Sequence, residues 1–366
     1  MELRAPSPVH GRAAPGLVLV SDHVDGRSRS AVAAVRALGA AGHRVLVTVS
    51  GRPSAAAASR NCAGVLQVPP ADSPGFRAAV QQHLEDHPGA SVIPASDAVL
   101  VALGLPGADL VDKARLEGRA ADAGLLVPPT RTFDSPDDLL AAEDLEYPVV
   151  VKAAVKTRPV EVARRVDVRE DLRQVVDVLE GPVIVQPFAT GTMRAVCGVV
   201  ADGRLLAAVH QRYVRIWPPG CGTASAAVTT DPDLDLEARL PRLLEGHVGV
   251  FQVQLIGDQV IDVNPRVYGS LPLAVAAGAN LPAIACEAAA GRPHAGIVRG
   301  RPGVRYRWLE GDLRRLLHDR RTGTLSVAGV ARALVPRRGT AHSVESLRDP
   351  GPVLARFADV ARRRLP

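Results

Sequence analysis

A chain of 366 residues is long enough for two or three domains with real cores. With 47% hydrophobic residues it is not a disordered chain, and 3% aromatics leave little material for base-stacking surfaces. The net charge of +6 admits an anionic partner. However, the basic excess sits late in the chain, in short runs at Arg314 and Arg315, Arg320 and Arg321, Arg337 and Arg338, and residues 362–364, which read as solvated helix faces and not as a nucleic-acid surface.

In chain order, residues 16–20 are a short apolar run, 30–41 carry a helical pattern that Gly42 punctuates, and 44–49 are a second β-branched run. Strand, helix and strand with short connections imply a parallel βαβ unit. The pattern continues through a strand at 64–68, a helix at 75–86 and a strand at 91–94, so residues 16–108 read as a doubly wound α/β domain. The turn after the first strand, Ser-Asp-His-Val-Asp-Gly-Arg-Ser, has one glycine where a dinucleotide fingerprint needs three, which argues against an oxidoreductase.

The second region, 109–295, is α+β in character. It opens with a helix at 112–123, followed by Tyr-Pro-Val-Val-Val-Lys152, an edge-entering strand that ends on a lysine. A helix at 169–179 and a strand at 182–186 lead into Pro187, Phe188 and Gly191. Long strands follow at 194–200, 204–210, 250–256 and 260–263, then a helix at 271–277. Residues 296–366, with helices near 310–319 and 352–364, read as a mostly helical extension that packs outside or extends the first domain. Cys62, Cys197, Cys221 and Cys286 show no metal spacing, residues 1–15 have no apolar signal core, and no apolar run approaches bilayer length. The expectation is a cytoplasmic protein with reduced thiols and no membrane or nucleic-acid partner.

The chemistry concentrates in residues 251–266, Phe-Gln-Val-Gln-Leu-Ile-Gly-Asp-Gln-Val-Ile-Asp-Val-Asn-Pro-Arg. Two apolar runs flank a Gly-Asp turn, the signature of a hairpin. Side chains alternate along a strand, so Asp262 and Asn264 share a face, and two oxygen donors with room for phosphate suit Mg²⁺. A three-residue loop puts Gln254 opposite Asp262 on that face, whereas a two-residue loop sends it to the other. A solvated hairpin with an Asn-Pro turn fits the same residues. Lys152 at a strand end can reach phosphates as a flexible point charge, although surface lysines there are common.

Taken in order, Lys113 with a following Gly-x-x-x-Pro-Pro, Tyr-Pro-Val-Val-Val-Lys152, Val-Ile-Val-Gln-Pro-Phe, and Asp262-Val-Asn264-Pro-Arg266-x-x-Gly-Ser resemble the ATP-grasp superfamily. Within it, the nearest likeness is to the carbamoyl-phosphate-synthetase-like and carboxylate-amine ligase branch. The resemblance runs from about residue 17 to 291. It implies an α/β N-terminal domain followed by an α+β ATP-grasp fold of two lobes, the smaller (about 113–187) closing as a lid.

It also implies that Lys113 and Lys152 contact the phosphates of ATP, and that the backbone of Gln186, Pro187 and Phe188 reads the adenine edge. Asp262 and Asn264 would hold Mg²⁺ (or Mn²⁺), with Gln254 in the place of a third ligand. Arg266 would stabilise the transferred phosphoryl group. Arg212, with the Pro-Pro-Gly-Cys-Gly loop at 218–222, would face the substrates. Glutamine replaces the usual acid at positions 186 and 254, and the segment 154–161, normally glycine-rich, reads Ala-Val-Lys-Thr-Arg-Pro-Val-Glu, where Lys156 or Arg158 would compensate.

The implied activity activates a carboxylate as an acyl phosphate and couples it to an amine, with an amino-acid-like substrate and a homodimer as further expectations. Carboxylating and thiol-ligating nucleophiles stay open. The alternative is a degenerate ATP-grasp protein that binds nucleotide or a partner without turnover. A serine hydrolase has no Gly-x-Ser-x-Gly elbow here, and Cys221 is not needed as a nucleophile.

Overall fold

The computed structural model describes residues 16–21, 26–51, 54–156, 162–292 and 295–364. In the N-terminal unit, β1 (Leu17–Ser21), α1 (Arg29–Ala40), β2 (Arg44–Val49), β3 (Cys62–Gln67), α2 (Gly75–Asp86), β4 (Ser91–Pro94) and α3 (Asp97–Leu103) form a parallel sheet in the order β3-β2-β1-β4. Both β1 and β2 are near-continuous aliphatic runs, as strands buried between helical layers must be. Ser28 caps α1 by accepting from the Ala31 amide, and Val32, Val35 and Leu38 bury its apolar face. Ser96 caps α3 in the same way, and Gly104, at φ +61°, closes it with a left-handed residue that other side chains would resist. The strand order reverses between β1 and β4, so a crevice opens beyond their carboxyl ends.

The expected helix at 112–123 resolves into a 3₁₀ turn, Lys113–Arg115, and α4 (Leu116–Asp122). The chain then builds a small lobe from β5 (Arg131–Phe133), α5 (Pro136–Ala141), β6 (Val149–Ala153), β7 (Arg164–Val166), α6 (Leu172–Val176) and β8 (Val183–Pro187). Its antiparallel sheet runs β5-β8-β6-β7. Leu139, Val149, Val151, Leu172, Val183 and Val185 form a core of its own. β6 is therefore an interior strand with two partners, not an edge strand, and Lys152 is its penultimate residue.

The large sheet runs through β9 (Met193–Ala201), β10 (Arg204–Trp217), β11 (Thr223–Thr229), β12 (Gly249–Ile256) and β13 (Gln259–Asn264), with α7 (Leu234–Leu243) inserted before the final hairpin. Alternation splits its two faces. Ala195, Cys197 and Val199 pack toward α1, α8 (Leu271–Ala276) and α9 (Leu281–Ala289), while Val196, Val200, Phe251 and Val253 pack with α4 and α7. The N-terminal unit thus packs α1 against α8 and α9 and shares one core with the large sheet.

The C-terminal segment is not only helical. β14 (Val298–Arg299) pairs with β10, and β15 (Arg305–Arg307) and β16 (Ala341–His342) extend the large sheet beyond β11. Between and after them lie α10 (Leu309–Arg321), α11 (Val327–Leu334) and α12 (Gly351–Arg364). Buried Asp349 accepts from Arg36 Nε (2.7 Å), Ser59 Oγ (2.7 Å) and the Arg60 amide (2.9 Å), which ties this segment to the N-terminal unit. Among the described residues, no helix is long and apolar enough to cross a membrane.

Candidate active site

The small lobe, the large sheet and the crevice beyond β1 and β4 enclose a cavity of about 440 Å³. Six basic side chains line it (Arg27, Arg29, Lys113, Lys152, Lys156 and Arg266) against two carboxylates, Asp97 and Asp262, so it favours an anionic occupant. Gln186, Pro187, Phe188, Gln254 and Asn264 line it as well. Residues from the N-terminal unit, the small lobe and the large sheet therefore meet in one space.

The β12–β13 hairpin sets the geometry at the centre. Its loop holds two residues, Gly257 and Asp258, yet Gln254 still pairs directly with Asp262. The reason is a bulge at Ile261, which opposes no residue of β12 and restores the parity that a two-residue loop would have lost. Val260 and Val263 consequently reach the core while Asp262 and Asn264 face the cavity. The bulge also aims the Ile261 carbonyl at Lys152, whose Nζ donates to it at 2.9 Å and to Gln186 Oε1 at 2.9 Å. Lys152 is buried, and burial draws its pKa down, with Asp262 opposing the shift and Lys113 reinforcing it. An incoming phosphate would supply the negative charge that this ammonium lacks.

Lys113 sits on the 3₁₀ turn, whose amide donates to Ala154 O at 2.9 Å, and its Nζ lies 3.7 Å from Asp262 Oδ1. Asn264 Nδ2 donates to Asp262 Oδ2 at 3.1 Å, while Asp262 Oδ1 is buried with no hydrogen-bond partner. A buried carboxylate oxygen in that state is unusual and fits a cation ligand. Gln254 turns its Nε2 to Tyr213 Oη at 2.8 Å. Among the described residues, no three His, Cys, Asp or Glu side chains cluster as a metal site. The donors on offer are thus one carboxylate and the side-chain carbonyls of Asn264 and Gln254. This hard, oxygen-only set suits a divalent ion that takes its other ligands from phosphate and water.

Arg266 is held on several sides. Its Nε and Nη2 donate to the two carboxylate oxygens of Asp97 at 2.6 and 3.3 Å, Nη2 donates to Asn264 Oδ1 at 2.8 Å, and Nη1 to Val267 O at 3.1 Å. Burial works to raise the Asp97 pKa, but Arg266, then Lys113 and Lys156, outweigh it and hold the carboxyl below the ordinary carboxylate range. The sequence reading missed Asp97 entirely. Its one local signal was Ser96-Asp97 following β4, a helix start at the carboxyl end of a parallel strand.

The segments 186–188 and 220–222 line the cavity. Phe188 lines the cavity with Arg165 stacked over its ring at 4.2 Å, but its amide already donates to Pro148 O at 3.0 Å, so it is not open to a base. Other backbone groups of the 186–188 segment would have to read the adenine edge. Arg212 is not brought to the site. It is exposed and does not line the cavity, because alternation along β10 turns Gln211 and Tyr213 inward and Arg212 out. Cys221 does line the cavity, but burial raises its pKa against Lys152 and Arg165, which keeps it a thiol. Lys156 is present at the wall, and Arg158 lies outside the described residues.

No protein-family model matches the sequence, and no curated protein matches it as a sequence. In three dimensions the chain is similar to L-amino acid ligase from Bacillus licheniformis, at 17% identity and a TM-score of 0.55 over 75% of this chain and 74% of that one. It is similar to N5-carboxyaminoimidazole synthetase from Staphylococcus aureus in complex with ADP, at 13% identity and a TM-score of 0.60 over 77% and 79%. It also resembles phosphoribosylamine–glycine ligase from Thermotoga maritima, at 15% identity and a TM-score of 0.56 over 78% of each chain. At such identities the likeness is one of architecture, and that architecture is the ATP-grasp fold.

Proposed function

We propose that the chain is an ATP-dependent ligase that activates a carboxylate as an acyl phosphate and couples it to an amine. The observation that carries this reading is the meeting of Lys113 and Lys152 with Asp262, Asn264 and Arg266 around one cavity, with Asp262 Oδ1 buried beside Lys113 and without a hydrogen-bond partner. In-line phosphoryl transfer asks for positioned charge and exclusion of water more than for a covalent group on the enzyme. Lys113 and Lys152 would bind phosphate oxygens, and Asp262, Asn264 and the Gln254 carbonyl would hold Mg²⁺. Held there, the ion would supply positive charge that offsets part of the phosphate charge. Arg266, fixed by Asp97, would face the charge that builds on the transferred group.

The balance is ordinary acyl transfer. A carboxylate oxygen attacks the terminal phosphorus and ADP leaves. The amine nitrogen then attacks the acyl carbon, phosphate leaves, and the amine proton passes to solvent. Two of the similar structures are ligases, which supports the class.

A second reading, nucleotide binding without turnover, draws on the single carboxylate at the metal position and on the hydrogen bonds that already engage Arg266. A thermal-shift titration with ATP, with and without Mg²⁺, separates the two when followed by ADP release over a panel of acids and amines. The expected result is a magnesium-dependent rise in melting temperature for the wild type, absent in Asp262→Ala, with ADP release for some acid–amine pair. Binding without ADP release for any pair would favour the second reading, and no shift with any nucleotide would remove both.

A further inference from the structure

Arg29, the first residue of α1, lines the same cavity but takes no part in the arrangement described above. Its guanidinium stacks over Trp308, with Cζ 3.8 Å from the ring centroid. Nη1 donates to Tyr306 Oη at 3.2 Å and Nη2 to Thr223 Oγ1 at 3.1 Å. It also lies against Gly269, where an added Cβ would stand 3.0 Å from Nη2 and 3.1 Å from Cζ, so the missing side chain makes room for the guanidinium.

All four of these neighbours are uncharged, and among the described residues no carboxylate pairs with Arg29. Arginines with structural roles in this protein are built differently. Arg36 pairs with Asp349, and Arg215 and Arg307 share Asp312.

An arginine ordered by stacking and by hydroxyl groups loses little further freedom when an anion arrives, and it has N–H donors to spare for a bidentate contact. Its place in the cavity limits what that anion belongs to. Gly269 lies three residues beyond Arg266, and three residues span at most about 10 Å. One compact molecule with a carboxylate at the Arg266 end therefore reaches Arg29 with a second group.

We propose that Arg29 receives a second anionic group, a carboxylate or a phosphate, on the acid that is activated, so that the substrate class is a short dianionic acid and not a simple monocarboxylate. The identity of the reacting carboxylate rests on the ligase reading above, but anion binding at Arg29 does not.

The test is a calorimetric titration of the full chain with succinate, phosphoglycolate and length-matched butyrate, each with and without a non-hydrolysable ATP analogue and Mg²⁺. The variants are Arg29→Met, which keeps an apolar stem over Trp308, and Arg29→Lys, which keeps the charge without the planar fork. At least one dianion should bind the wild type about tenfold or more tightly than butyrate, as a charge-assisted pair requires. Whether succinate or phosphoglycolate wins separates carboxylate from phosphate. Arg29→Met should erase the preference, Arg29→Lys should retain part of it, and both should bind the ATP analogue as the wild type does. Should Arg29→Met fail to fold, Arg29→Lys and Thr223→Val, which removes an orienting hydroxyl, carry the comparison, with a several-fold loss of dianion preference expected in each.

Equal binding of butyrate and the dianions overturns the proposal, as does a dianion affinity indifferent to the variants. Loss of ATP-analogue binding instead of acid binding overturns it too, because it would assign Arg29 to the nucleotide. Failure of the ligase reading looks different: Arg29-dependent dianion binding would persist while no acid supported ADP release.

Discussion

Asp97 and Arg266 are 169 residues apart in the chain and share two hydrogen bonds, with both side chains largely withdrawn from solvent. Removing one charge from such a pair leaves the other desolvated, which costs more than the pair itself contributes. Asp97→Asn should destabilise the protein by about 3 kcal/mol at neutral pH, read from denaturant midpoints. The pH dependence has a definite sign. The folded pKa of Asp97 lies below its ordinary 3.8, so its contribution is fully present above that value and is lost as the pH falls through the lower folded value. The stability gap between wild type and Asp97→Asn should therefore narrow only below about pH 4. A gap that closed near pH 6 would point to another group. At this scale, Lys152, Asp262, Asn264 and Arg266 were legible from residue type and order, while Asp97 was not, since nothing local to residues 96–98 announces a partner so far along the chain.

Among the elements, the β9–β12 pair shows how closely the large sheet is packed. Gly198 pairs with Phe251 on one side and Ala208 on the other, and an added Cβ would collide with the Ala207 carbonyl and stand 2.8 Å from the Phe251 ring. Gly198→Ala should lower stability by about 3 kcal/mol, because the obstacle is backbone in the middle of a sheet and cannot swing aside. A cost under about 0.5 kcal/mol, the range of a neutral surface change, would mean that β9 and β10 can separate locally.

Strand positions followed from alternation and β-branched runs, and the helix at Gly75–Asp86 and the strand at Ser91–Pro94 match the reading residue for residue. The bulge at Ile261 and the long β10 were beyond it. A bulge is decided by which side chains the neighbouring layers bury, and the resemblance that put Arg212 at the site carried no information on which way that residue faces.

At the scale of the whole molecule, the small lobe carries Lys152 and the 186–188 segment on a sheet with its own core, across the cavity from Asp262 and Asn264. A nucleotide bound between them would bridge two separately packed layers. Hydrogen exchange should then slow on addition of ATP and Mg²⁺ in residues 149–156 and 183–188 together with 259–266. Protection confined to one of the two layers would show that the lobes do not close on a common ligand. The thermal-shift, Arg29, Asp97 and Gly198 experiments test four other parts of the same picture, and none depends on this one.

The order of short motifs from Lys113 to Ser270 was enough to indicate the fold, since two lysines and an Asp-x-Asn-Pro-Arg hairpin follow one another in the order on which the resemblance rests. What the sequence alone determined is therefore local or ordinal: aliphatic strands, helices, a hairpin with two oxygen donors on one face, and the succession of these pieces. Only the tertiary structure decided which charges meet. It brought Asp97 to Arg266 and Arg29 to Trp308 and Gly269, left Asp262 Oδ1 without a hydrogen-bond partner, and turned Arg212 away. The physical reason is that side-chain pairing depends on distances between segments far apart in sequence, set by how whole layers pack, and no window of neighbouring residues contains that information.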